Sequence, residues 1–349
     1  MKSIKDKHIS MKTLVGVWLV VLIAGFAFVW ASVDDTVEQR VQDDPLGSVD
    51  TASLDFDPYA LTEEDCTSFE TFDPQTNECY YECETEEECA SIEAKIEAEL
   101  DSLFSDVDFS SFEEGERPAD ASGITFYSVS EGELVAKNTV AEQDQELWDL
   151  FLKVVPDYIL FFDIVGYETY NDVNDGTAAY VYQDEADLTK WILGVNLDAM
   201  YVDGSLDRAE AVRTLIHEMA HVLTLRNSQV PASAVGGSCG TIQLQEGCAQ
   251  ADSYISVFNT RFWDSIRDSW PGEEASEDAI YDFFDANQDQ FVSDYAATNL
   301  GEDIAESFMS FVIQPKSSGT EIKDQKINFF YEYPELVRLR DTIRQNIAL

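Results

Sequence analysis

One stretch constrains this chain more than any other. In residues 207–225, DRAEAVRTLIHEMAHVLTL, the residues Ala211, Val212, Leu215, Ile216, Met219, Ala220 and Leu223 recur at the spacing of one helix face. His217, Glu218 and His221 lie beside that apolar stripe. Two imidazoles four residues apart on a helix differ by about 6 Å of rise and about 40° of rotation, so both reach one point in space. Glu218 is turned by roughly 100° from His217 and can address whatever is bound at that point. The chain has three histidines, the third being His8. An imidazole beside a buried stripe is costly unless it is paired. The fold must therefore bury this helix and bring further ligands to its polar edge.

The pattern H-E-x-x-H suits a zinc ion, with two imidazoles as ligands and Glu218 as general base toward a zinc-activated water. A catalytic zinc needs a third protein ligand and one open position. His8 cannot supply it, because it lies on the other side of the apolar run described below. Thr224 and Asn227 stand where a metzincin motif continues with Gly and His. A carboxylate remains, or a Tyr or Cys. In SDYAATNLGEDIAESF, Glu302 and Glu306 are four apart on a helix expected to start after Asn299-Leu300-Gly301, and their carboxylates share one face. One can bind the metal while the other accepts the N–H of a ligating imidazole. Asp303 and Asp294 are the fallback ligands.

An H-E-x-x-H helix followed by E-x-x-x-[DE] resembles the gluzincin pattern. Tyr295-Ala296, seven residues before Glu302 with Ala305-Glu306 behind it, is similar to the active-site segment of the anthrax-lethal-factor-like zincins. The resemblance covers roughly residues 190–312. It implies a zincin-like metallopeptidase domain with one catalytic Zn2+. His217, His221 and Glu302 would be the ligands, Glu218 the base, Glu306 the support behind a ligand and Tyr295 a phenol that stabilises the oxyanion. The segment KWILGVN, residues 190–196, resembles the edge strand along which such enzymes align extended peptides; an ordinary buried strand is the other reading. The chain departs from compact gluzincins in the long insert between His221 and Glu302, which contains Cys239 and Cys248.

With 69 acidic against 21 basic side chains, the net charge is −48. Such a field repels nucleic acid and excludes it as a partner, and it suits a solvated surface in a salty medium. Residues 14–33 carry no charge, which is enough helix to span a hydrocarbon core of about 30 Å. Lys2, Lys5, Lys7 and Lys12 precede the run while Asp34, Asp35 and Glu38 follow it. The expectation is a short cytoplasmic tail (1–13), a single-pass anchor or export signal (14–33) and everything later outside; if the signal is cleaved the protein is secreted. Cys66, Cys79, Cys83, Cys89, Cys239 and Cys248 all lie on that outer side, where disulfides are the default.

The expected organisation continues with an acidic stalk (34–62), a Cys-rich module (63–92), a helix and acidic linker (93–120) and the metallopeptidase domain (121–349). The fold class is α+β, with a small sheet followed by a mostly helical half. Asp285, Asn287 and Asp289 begin like a calcium loop, but Gln290 and Ala296 occupy the positions where an EF-hand requires Gly and Glu, so only a looser Ca2+ site is entertained. The expected activity is extracytoplasmic cleavage of peptide or protein substrates. The alternatives are a cell-surface binding or adhesion protein with a structural zinc, or a latent peptidase blocked by its N-terminal region.

Overall fold

The computed structural model describes residues 86–105, 107 and 123–348 apart from 137–138, 174–176, 233–238 and 273–274, together with the backbone of a hairpin, β1 (Thr71–Asp73) and β2 (Glu78–Tyr80). Among these residues no helix is long and apolar enough to cross a membrane. The apolar run 14–33, the stalk 34–62, Cys66 and Cys83 lie outside the described residues, as do the side chains of Cys79 and Cys89.

The first described helix, α1 (Glu86–Leu103), buries Leu100 in the main core, as does Phe104 just after its end, and packs against the last helix of the chain. Then come β3 (Thr125–Ser130), β4 (Glu133–Val135), α2 (Glu142–Phe151), α3 (Asp157–Leu160), β5 (Ile164–Tyr170), β6 (Ala179–Asp184) and β7 (Asp187–Asn196). The five strands form one sheet in the order β4-β3-β5-β7-β6, antiparallel except for the β5–β7 pair. Glu131 and Gly132 take positive φ between β3 and β4, the two-residue turn whose twist matches antiparallel strands. Tyr127, Tyr167 and Trp148 stack where the sheet meets α2.

The alignment of KWILGVN with a sheet edge is corrected here. These residues belong to β7, which is hydrogen-bonded to β5 on one side and β6 on the other, so their backbone groups are spent within the sheet. The edge is β6. Gly194 of β7 lets the Tyr180 ring of β6 lie across it, since a Cβ there would meet ring atoms at 2.1 Å.

The helical half begins with α4 (Leu197–Met200), a small hairpin of β8 (Tyr201–Val202) and β9 (Ser205–Leu206), and α5 (Arg208–Leu225). Asp207 caps α5 by accepting from the Glu210 N–H at 3.1 Å. Every residue of α5 from Ala211 to Leu225 is buried, so the helix is enclosed on all sides instead of along one stripe. It packs on β6 and on α8 (Leu300–Ile313). Before α8 lie α6 (Tyr254–Phe258), a π turn at Asn259–Trp263 and α7 (Glu277–Ala286). After it come α9 (Ile322–Phe329) and α10 (Pro334–Ala348). The architecture is α+β, as the sequence pattern suggests.

Candidate metal centre

Two helices make the site. α5 supplies His217, Glu218 and His221 from its buried middle, and α8 supplies Glu302 and Glu306 from its first two turns. Asn299 caps α8: its side chain accepts from the Glu302 N–H at 3.0 Å, which sets the helix start just before Glu302. His217 Nε2 and His221 Nε2 are 2.9 Å apart, and Glu302 Oε2 lies 3.1 and 3.2 Å from them. Among the described residues these three side chains are the group of His, Cys, Asp or Glu able to hold one metal ion.

The donor set fits zinc. Tetrahedral bonds of about 2.0–2.1 Å place neighbouring ligand atoms about 3.3 Å apart, close to the three separations seen. The tautomer agrees as well. His217 Nδ1 lies 2.8 Å from Glu306 Oε1, and a carboxylate there requires the proton on Nδ1, which leaves the Nε2 lone pair directed at the shared point. With the two imidazoles protonated instead, Glu302 is held far below the usual carboxylate range: burial alone would raise it, but the charge of His221, the hydrogen bonds from His217 and His221 and the charge of His217 outweigh burial.

Glu218 is 1% exposed, and its Oε1 has no hydrogen-bond partner. A buried carboxylate oxygen is expensive to leave unsatisfied, and Glu218 follows His217 and precedes His221 by three residues on the same buried helix. The Tyr295 ring is centred 5.9 Å from that of His217, in a short 3-10 turn, Tyr295–Ala297, that precedes α8.

The fallback ligands are corrected. Asp303 is engaged elsewhere and accepts from Lys326 Nζ at 2.5 Å and Trp263 Nε1 at 2.7 Å. Asp294 caps the turn after it, accepting from the Tyr295 N–H at 2.8 Å. At the loose calcium candidate, Asp285 accepts from Gln288 and Asn287 donates to the Phe283 carbonyl. Cys239 and Cys248 are joined in a disulfide and are not ligands.

Sequence reading overlooked Ser293. Its hydroxyl donates to Glu306 Oε2 at 2.5 Å and accepts from the Ala296 N–H at 3.1 Å, so it ties Glu306 to the Tyr295 turn. Thirteen residues separate it from Glu306, and no periodicity marks such a pair. Asn299 was readable in principle, as Asn followed three residues later by Glu is a helix-start signal. Compared with known proteins, the chain matches no family profile, no curated protein and no solved structure.

Proposed function

We propose that the chain is a zinc-dependent endopeptidase of the gluzincin type, resembling the anthrax-lethal-factor-like zincins, with its catalytic domain outside the cytoplasm. The observation that carries this reading is the convergence of His217 Nε2, His221 Nε2 and Glu302 Oε2 within 3.2 Å of one another, with Glu218, on the same helix as the histidines, burying an oxygen that has no hydrogen-bond partner. Zinc at that point supplies Lewis-acid polarisation of a scissile carbonyl and acidifies the attacking water. The remaining work belongs to the chain. Glu218 takes the proton from the water and returns it to the leaving amine. Glu306 keeps the His217 proton on Nδ1, so Nε2 remains a ligand throughout. Tyr295, beside His217, donates its phenol proton in a hydrogen bond to the developing oxyanion.

Among the described residues β6 is the outer strand on this side of the sheet, where an extended peptide would add, and α5, which carries His217 and His221, packs against it. A structural zinc would need a fourth protein ligand. The group holds three, and among the described residues no fourth carboxylate, thiolate or imidazole joins it, which favours the catalytic reading. The Cys239–Cys248 disulfide supports an oxidising compartment.

The test is digestion of a diverse peptide library by the full-length chain loaded with zinc, beside Glu218→Gln. Cleavage by the wild type, slowed by about 10²–10⁴ or more in Glu218→Gln while zinc stays bound, is the expected result. A wild type that binds one zinc and cleaves nothing would sink the peptidase reading.

A further inference from the structure

Lys326 is a lysine of α9 with no exposed surface, in the core directly behind α8. Its ammonium lies 2.5 Å from Asp303 Oδ2, the residue after Glu302, and 4.1 Å from the centre of the Phe291 ring. The same Asp303 oxygen accepts from Trp263 of the π turn. Phe291 opens the segment Phe291–Tyr295, whose Ser293 donates to Glu306 and whose Tyr295 lies beside His217. One buried cation thus touches both segments that complete the metal centre: the first turn of α8 through an ion pair, and the Ser293–Tyr295 segment through an aromatic face.

Stability is a poor reason for such a group. Two buried charges lose several kcal/mol of hydration each, and apolar side chains of the same volume serve a core as well or better. The position suggests another reason. Glu302 and Asp303 are adjacent carboxylates in one helix turn, with Glu306 one turn further on. A cation on the far side of the helix holds Asp303 away from the ion, fixes the rotation of α8 about its axis, and so aims Glu302. We propose that Lys326 is a positioning residue for the metal centre, orienting Glu302 through Asp303 and the Ser293–Tyr295 segment through Phe291. The proposal rests on the reading of His217, His221 and Glu302 as a metal site, and its test separates the two.

The measurement is zinc affinity of the full-length chain by chelator competition, with the visible spectrum of its Co2+ form, for wild type, Lys326→Met and the pair Asp303→Asn/Lys326→Met. In the pair, Asn still accepts from Trp263 and Met keeps the contact with Phe291, so the metal-free chain should melt close to wild type even if Lys326→Met alone does not fold. Expected are a zinc affinity lower by about 10–100-fold in the pair, the range for groups that orient ligands, and an altered Co2+ spectrum. Wild-type affinity and an unchanged Co2+ spectrum in the pair would overturn the proposal. So would a loss of affinity matched by a fall in metal-free melting temperature as large as that of Lys326→Met, which would make Lys326 a purely structural residue. A wild-type chain that takes up no zinc would overturn the metal site itself, and this proposal with it.

Discussion

Glu306 uses both of its oxygens, one on His217 and one on Ser293, and is itself fully buried. An acceptor so placed fixes both the tautomer and the ring angle of the imidazole in front of it. Glu306→Gln should therefore lower zinc affinity by about 10–100-fold without unfolding the chain, because the amide oxygen can still accept one of the two bonds. Chelator competition reads the affinity, and an unchanged value would show that Glu306 plays no part in holding His217. At this scale the chain's own order of residues was informative for the five side chains of the two helical motifs, His217, Glu218, His221, Glu302 and Glu306. Ser293, Lys326 and Trp263 carry no such mark, because each acts across a packing interface on a partner far along the chain.

α8 is anchored at both ends. At its start Asn299 caps the Glu302 N–H. At its end Arg340 Nε and Arg344 Nη1 of α10 donate to the carbonyls of Phe311 and Val312 at 2.7 and 2.8 Å, where cations also complement the helix dipole. Asn299→Ala should cost about 1 kcal/mol, or roughly 2–4 °C of melting temperature for a domain this large. A melt indistinguishable from wild type would mean that packing alone sets the start of α8.

α5 is tied down at its far end too. Arg226, its last cap residue, lies 2.9 Å from Asp163, just ahead of β5. Burial pushes Asp163 from the usual 3.8 up to about 6, against the pull of Arg226 and Lys190. A proton held more tightly in the folded chain favours folding at low pH. This contribution is full below about pH 4 and is lost as pH rises through about 6, at most about 3 kcal/mol in all. The melting temperature of wild type minus that of Asp163→Asn should accordingly fall between pH 4 and pH 7. A difference that stays level across that window would contradict the assignment.

For the whole molecule the dominant quantity is charge. A chain at −48 repels itself when compact, and added salt screens that repulsion over about 10 Å at 0.1 M and about 3 Å at 1 M. The melting temperature should climb by roughly 5–10 °C between 0.02 and 1 M NaCl. A flat or falling profile would show that the acidic groups are already neutralised in pairs.

Taken alone, the order of residues determined what depends on near neighbours: the buried α5 with two imidazoles one turn apart, the carboxylates of α8 on one face, and the extended run that becomes β7. It did not reveal β3 or β5, nor that β7 lies inside the sheet. A strand's own pattern reports how deeply it is buried and not which strands flank it. Only the tertiary structure shows what keeps the neighbouring carboxylate from the histidines. The resemblance put Glu302 ahead of Asp303, and the structure adds Lys326 and Trp263, which arrive from α9 and the π turn to hold Asp303 elsewhere. Selection by a buried partner distant in the chain leaves no trace in local spacing, because its energy exists only once the helices have packed.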